Sequence, residues 1–155
     1  MKKIIIITII LMSLSALWSQ PNFHKAFGLS YGMATGNGFS YRQINNDYGF
    51  QATGAIALTD EESIIFTGTQ FIKPLHSISK TRFNMTIGLG TMNHFNSNKY
   101  DESFLYFGAG PEVEVTFSYN IRLIIGTPYT IFKQSSNSHI MGTFMPTFSI
   151  MYYFD

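Results

Sequence analysis

The chain has 155 residues, 45% hydrophobic and 16% aromatic, yet only 12% charged, against ~25% in an average soluble domain. Ten Lys and Arg against nine Asp and Glu give a formal charge of +1, which leaves no basic excess for nucleic acid. Zero cysteines excludes disulfides, thiolate metal centres, cysteine nucleophiles and anchoring through a lipidated cysteine.

Met1-Lys2-Lys3 precedes an apolar run from Ile4 to Leu17, interrupted only by Thr8, Ser13 and Ser15, and then Trp18-Ser19-Gln20-Pro21. This is the layout of a secretory signal peptide, and the run is shorter than the ~18 residues of a membrane-spanning helix. The expected division is a signal over 1–19, cleaved between Ser19 and Gln20, and one domain over 20–155. Loss of Lys2 and Lys3 leaves eight basic against nine acidic residues, a formal charge of −1. No later apolar stretch is long enough to cross a membrane as a helix.

Eight segments of two-residue alternation follow. The first two span 26–34 and 38–45 and are separated by Gly36-Asn37-Gly38; in the second, Arg42 shares parity with Ser40, opposite Phe39 and Tyr41. Asn45-Asn46-Asp47 introduces the third, 48–58, and Thr59-Asp60-Glu61-Glu62 separates it from the fourth, 63–75. Lys73 shares parity with the apolar Phe71 and Leu75, so it is expected to snorkel from the strand end. In the fifth, 81–95, Arg82 goes with Asn84, Thr86, Gly88 and Gly90, opposite Phe83, Met85, Ile87 and Leu89. The sixth, 102–117, is the clearest: Leu105, Phe107, Ala109, Val113, Val115 and Phe117 oppose Gly108, Gly110, Glu112 and Glu114. After Ser118-Tyr119-Asn120, the seventh, 120–132, sets Arg122 with Gly126 against Ile121, Leu123, Ile125 and Tyr129; the eighth covers 140–154. No segment carries a helical period over three turns.

Successive strand side chains point to opposite faces, so this pattern puts apolar groups outside and charge inside. The fold expected is all-β, an eight-stranded antiparallel up-and-down transmembrane barrel. Arg42, Arg82, Glu112, Glu114 and Arg122 then form a charged network filling a lumen that has room only for side chains, and the inward glycines leave space for the arginines. With both termini in the periplasm, the connections near 36, 60, 97 and 136 face outward and those near 46, 78 and 119 inward. The longest polar stretches, 94–102 and 133–139, become surface loops able to meet a ligand. Phe117, Tyr119, Tyr152 and Phe154 would form the periplasmic girdle, and Tyr129, Phe132 and Phe144 the outer one.

On strand number, alternating faces, loop asymmetry and the closing run Thr143-Phe-Met-Pro-Thr-Phe-Ser-Ile-Met-Tyr-Tyr-Phe154, the chain resembles the small eight-stranded bacterial outer-membrane barrels, the class of the outer-membrane protein A membrane domain. The resemblance covers nearly all of the domain. It implies residence in the outer membrane as a monomer in contact with lipid, and delivery by the barrel assembly machinery, which reads a terminal aromatic residue. Phe154 matches that residue; Asp155, which follows it, departs from the pattern.

The chemistry of a catalyst is not evident. Lipid A deacylase barrels place a serine two residues after the histidine, whereas Ile140-Met141 follows His139 and Phe95-Asn96 follows His94. His76 precedes Ser77 without an acid of matching parity, and Asp60, Ser63 and His94 or His139 are a scatter of loop residues rather than an acyltransferase set. His24, His76, His94 and His139 lack ligand spacing, so neither a metal nor a cofactor is expected. Gly36-x-Gly38, Gly88-x-Gly90 and Gly108-x-Gly110 precede no helix and are not phosphate loops, and Asp60-Glu61-Glu62 and Asp101-Glu102 are expected to be solvated turns. The expected function is therefore structural or surface-interacting. The alternatives are a narrow channel, a lipid-modifying enzyme, or a soluble lipocalin-like carrier whose inside and outside would be exchanged. Deleting Phe154 and Asp155 together should lower the amount of protein in the outer membrane far more than deleting Asp155 alone, as read by immunoblot of fractionated cells; equal levels would show that Phe154 carries no signal.

Overall fold

The computed structural model describes residues 23–59, 62–96, 102–135 and 139–154; the expected signal peptide lies outside them. Among the described residues ten strands are present: β1 (His24–Tyr31), β2 (Gly38–Ile44), β3 (Gly49–Leu58), β4 (Glu62–Ile78), β5 (Thr81–Asn96), β6 (Glu102–Thr116), β7 (Ile121–Gly126), β8 (Tyr129–Gln134), β9 (Ile140–Phe144) and β10 (Thr147–Phe154). They make eight staves, because β7 with β8, and β9 with β10, each continue one line of chain. Antiparallel neighbours pair in sequence from β1 to β6, β6 pairs both β7 and β8, and β10 closes on β1 through Lys25↔Phe154 to Tyr31↔Phe148.

The expectation of unbroken strands over 120–132 and 140–154 needs correction, and prolines supply the reason. Thr127 N–H donates to the Pro111 carbonyl (3.2 Å), and Met145 N–H to the Pro128 carbonyl (3.1 Å). Neither proline has an N–H to return the second bond of its pair. Register is kept across the gap: Gly126 faces Thr147 below it and Tyr129 faces Phe144 above it. The wall is thus weakened at one height without slipping.

Outside, the wall is apolar. Phe27, Leu29, Phe83, Met85, Ile87, Leu89, Leu105, Phe107, Ile125, Ile131 and Ile150 are all exposed, while Arg42, Glu112 and Glu114 are buried. This is the inverse of a soluble barrel, and the lipocalin-like alternative falls with it. Lys73 is exposed on the outer face and its Nζ donates to the Asp47 carbonyl in the 45–48 turn (2.8 Å), reaching past the strand end. At the same end, Phe117, Tyr119 and Tyr152 are exposed, and Phe154 stacks on Phe27 across the closing seam, with centroids 5.5 Å apart. Phe132 does not belong to the outer girdle: it turns into the lumen beside Tyr106, 5.9 Å between centroids.

The height of the wall is uneven. β2 meets β3 only as far as Phe39↔Gly54, and Leu58 stands four residues beyond, about 13 Å at a strand's rise. β4 and β5, with 17 and 16 residues, exceed the ~9–11 that cross a bilayer. On the low side, the connection from β1 to β2 folds inward. Ala34 and Thr35 are 1% and 5% exposed, the Asn37 side-chain oxygen accepts from Gly32 N–H (2.9 Å), and Gly36 and Gly38 take φ of 85° and 118°, which favours glycine.

The inward glycines therefore make room for something other than arginine. A Cβ at Gly68 would strike the Thr35–Gly36 backbone, at Gly88 the Ala34 carbonyl oxygen, at Gly90 the Met33 carbonyl oxygen, and at Gly108 the Ala34 side chain. These glycines accommodate residues 33–36, which plug the lumen from the long-loop end. Gly90→Val should expel the plug while leaving the barrel closed. Proteinase K cleavage within 32–37 should rise several-fold with heat-modifiable gel migration retained; unchanged protection would mean that the plug tolerates the side chain.

Candidate functional site

Beneath the plug the inward positions carry polar and charged groups, each delivered by the alternation of its own strand. Ser40 on β2 donates to Ser30 on β1 (2.7 Å) and bonds Thr53 on β3; Ser30 also meets Ser149 on β10 (2.7 Å) and accepts from Gln51 Nε2 (3.0 Å). This belt joins four staves. It leads to Arg42, which is fully buried.

The Arg42 guanidinium donates through Nη2 to Glu112 Oε1 (2.7 Å) and Glu114 Oε2 (3.0 Å), and through Nη1 to Glu112 Oε2 (3.3 Å) and Gln51 Oε1 (3.0 Å). One planar fork thus binds two carboxylates, a geometry that lysine could not supply. Glu112 also accepts from Gln70 Nε2 (3.0 Å) and Asn84 Nδ2 (2.9 Å). Glu114 accepts from Arg122 Nη1 (2.5 Å) and lies 3.9 Å from Arg82 Nη1. Arg122 rests on the Tyr153 ring, its Cζ 3.9 Å from the centroid, an arrangement that stabilises a cation. Gln51, Gln70, Asn84 and Tyr153 were not singled out in the sequence, although parity placed Asn84 with Arg82.

The inner face is not polar throughout. Ala26, Ile44, Ile72, Ile124, Met151 and Tyr153 form a buried apolar cluster. Arg42, Glu114 and Arg122 therefore have apolar neighbours on the same face, Ala26, Ile124 and Met151, which raises the cost of leaving any of them unpaired.

The candidate enzymatic groups are not brought together. Ser63 faces Phe95 while His94 faces Ile64, so Ser63 and His94 point to opposite sides of the wall. His94 instead lies 3.3 Å from Glu62, whose other oxygen accepts from Asn96 (2.6 Å). Asp60 and most of the two long loops, residues 97–101 and 136–138, lie outside the described residues. Among the described residues no three His, Asp or Glu side chains gather as a metal site would need.

Arg42→Met should destabilise the barrel by about 3–5 kcal/mol by stranding Glu112 and Glu114, whereas Arg42→Met combined with Glu112→Gln and Glu114→Gln should cost less than the sum of the separate changes. Urea unfolding in detergent measures both; additive losses would show that the side chains are not coupled.

No protein-family model matches the chain, and no curated protein does. Among solved structures it is similar to the N-terminal β-barrel domain of Pseudomonas aeruginosa OprF, with 17% identity over 85% of this chain and 96% of that one and a TM-score of 0.50. Ail, the attachment invasion locus protein of Yersinia pestis, aligns over 85% of this chain and 95% of that one, with 14% identity and a TM-score of 0.35. With its closed antiparallel wall of eight staves, the chain has the fold of the small eight-stranded outer-membrane barrels.

Proposed function

We propose that the chain is a small integral outer-membrane protein, exported with residues 1–19 as its signal, whose closed barrel serves a structural or surface-presenting role without catalysis. The observation that carries this reading is the pairing of an apolar outer wall with a lumen filled at two heights, by residues 33–36 and by the Arg42 network. A chain built to conduct would need a continuous aqueous path, and an eight-stranded lumen holding both fillings leaves little room for one. Loop length supports one orientation: the short turns at 45–48, 79–80 and 117–120 would face the periplasm with both termini, and the ends of β5, β6, β8 and β9 opposite them would face the cell surface, where a ligand would meet the chain. Phe154, on the outer face at the closing seam, is where the assembly machinery could read it. The barrel is a monomer bounded by lipid, with no cofactor, metal or nucleic acid.

Two measurements test this. The mature chain should fractionate with outer membranes and migrate faster unheated than boiled, and in planar bilayers it should show no steady conductance above the bare membrane. A monomer soluble in plain buffer overturns the membrane assignment, and reproducible single-channel steps from the wild-type chain overturn the closed barrel.

A further inference from the structure

Among the described residues, the network beneath the plug holds three arginines, Arg42, Arg82 and Arg122, against two carboxylates, Glu112 and Glu114, so it carries one cation in excess. Geometry identifies which. Arg42 and Arg122 both hydrogen-bond carboxylate. Arg82 approaches Glu114 only to 3.9 Å, and its buried Nη1 has no hydrogen-bond partner. A buried guanidinium N–H left unmade is costly.

Arg82 lines a recess of about 120 Å³ at the short-turn mouth, together with Ser77, Ser79, Lys80, Thr81, Glu114, Thr116 and Arg122. Three of these side chains are cationic, and Ser77 and Thr116 share the inner face with Arg82 and Arg122. The one acid, Glu114, is already occupied by Arg42 and Arg122, so it presents little free negative charge to an incoming group. Lys80 is exposed in the two-residue turn between β4 and β5 and stands at the entrance. A recess of this volume has room for one tetrahedral oxyanion.

We propose that this recess is an oxyanion-binding site, taking a phosphate-type group from the side of the short turns, with Arg82 as its principal donor and Lys80 as the cation at its entrance. The anion would neutralise the surplus charge and offer an acceptor to the Arg82 guanidinium, which would turn to present the Nη1 that lacks a partner, and the hydroxyls of Ser77 and Thr116 on the inner face and of Ser79 in the turn would be available to its remaining oxygens. The assignment rests on the lumen alone and stands whether or not the barrel has a surface role.

Inorganic phosphate is the probe. The full mature chain, folded in zwitterionic detergent, is titrated calorimetrically, with sodium chloride holding ionic strength constant. Saturable one-to-one binding is expected, weakened roughly tenfold or more by Arg82→Gln and several-fold by Lys80→Gln. Heat-modifiable migration checks that each variant is folded. Should Arg82→Gln fail that check, Lys80→Gln decides, because Lys80 lies in an exposed turn. Absence of saturable heat in the wild-type chain, or affinities within twofold for the folded variants, overturns the site. Repeating the titration in phosphatidylcholine bilayers with and without phosphatidylglycerol separates the sources: weakening by the anionic lipid assigns a lipid headgroup, and unchanged affinity assigns a soluble phosphate.

Discussion

Inside hydrocarbon, no water satisfies a backbone N–H or carbonyl, so a sheet that crosses a membrane must end where it began. The seven register pairs between β1 and β10 meet that requirement here, and the remaining architecture follows from them. Closure fixes which side of each strand meets lipid, and alternation then sends every second side chain into a space too narrow for bulk water. Arg42, Glu112 and Glu114 are buried because the wall leaves them no other side, and they must find one another there. The fork of Arg42 across two carboxylates is the local answer to a constraint imposed by the whole sheet.

The same constraint accounts for the plug. An eight-stranded lumen too wide for small side chains alone would hold voids or unpaired water, and glycines at 68, 88, 90 and 108 widen it further. Backbone from residues 33–36 fills that width, and its compactness depends on Gly36 and Gly38 adopting positive φ. The glycines and the plug are thus two halves of one packing solution, separated along the chain by as much as the distance from Ala34 to Gly108. Neither half has a reason to exist without the other.

The alternating faces of β5 and β6 made both the barrel and the inward placement of Arg82, Glu112 and Glu114 legible, since a period of two is a local property of the chain. The role of the glycines was not legible. Gly88-x-Gly90 can be read as space, but what fills the space is a segment far away in sequence that itself looks like the end of a strand. The breaks at Thr127-Pro128 and Met145-Pro146 were half visible: each proline stands in the sequence, yet only register reveals that Pro111 and Thr127 face each other and that Pro128 meets Met145. Gln51 and Gln70 are not legible for a different reason, because an uncharged polar side chain on an inward face gives no sign of which buried charge it will serve, Arg42 for Gln51 and Glu112 for Gln70.

Residue type, though not parity, stops marking the faces from the level of the plug toward the long-loop end. There Phe104, Tyr106 and Phe132 face inward, with Phe104 and Tyr106 6.2 Å apart, while Leu105, Phe107 and Ile131 face out. Phe132 shares the parity of Arg122 and Gly126, which points it inward; its aromatic character suggests the outer girdle, and here parity rather than residue type marks the face. Polarity marks the inner face only where something polar must be packed against it. The Arg42 network imposes that demand at one level of the lumen, and the plug backbone replaces it with a demand for smallness at the next. Beyond the plug the inner wall carries both kinds of side chain, Phe104 and Phe132 together with the Glu62, His94 and Asn96 group.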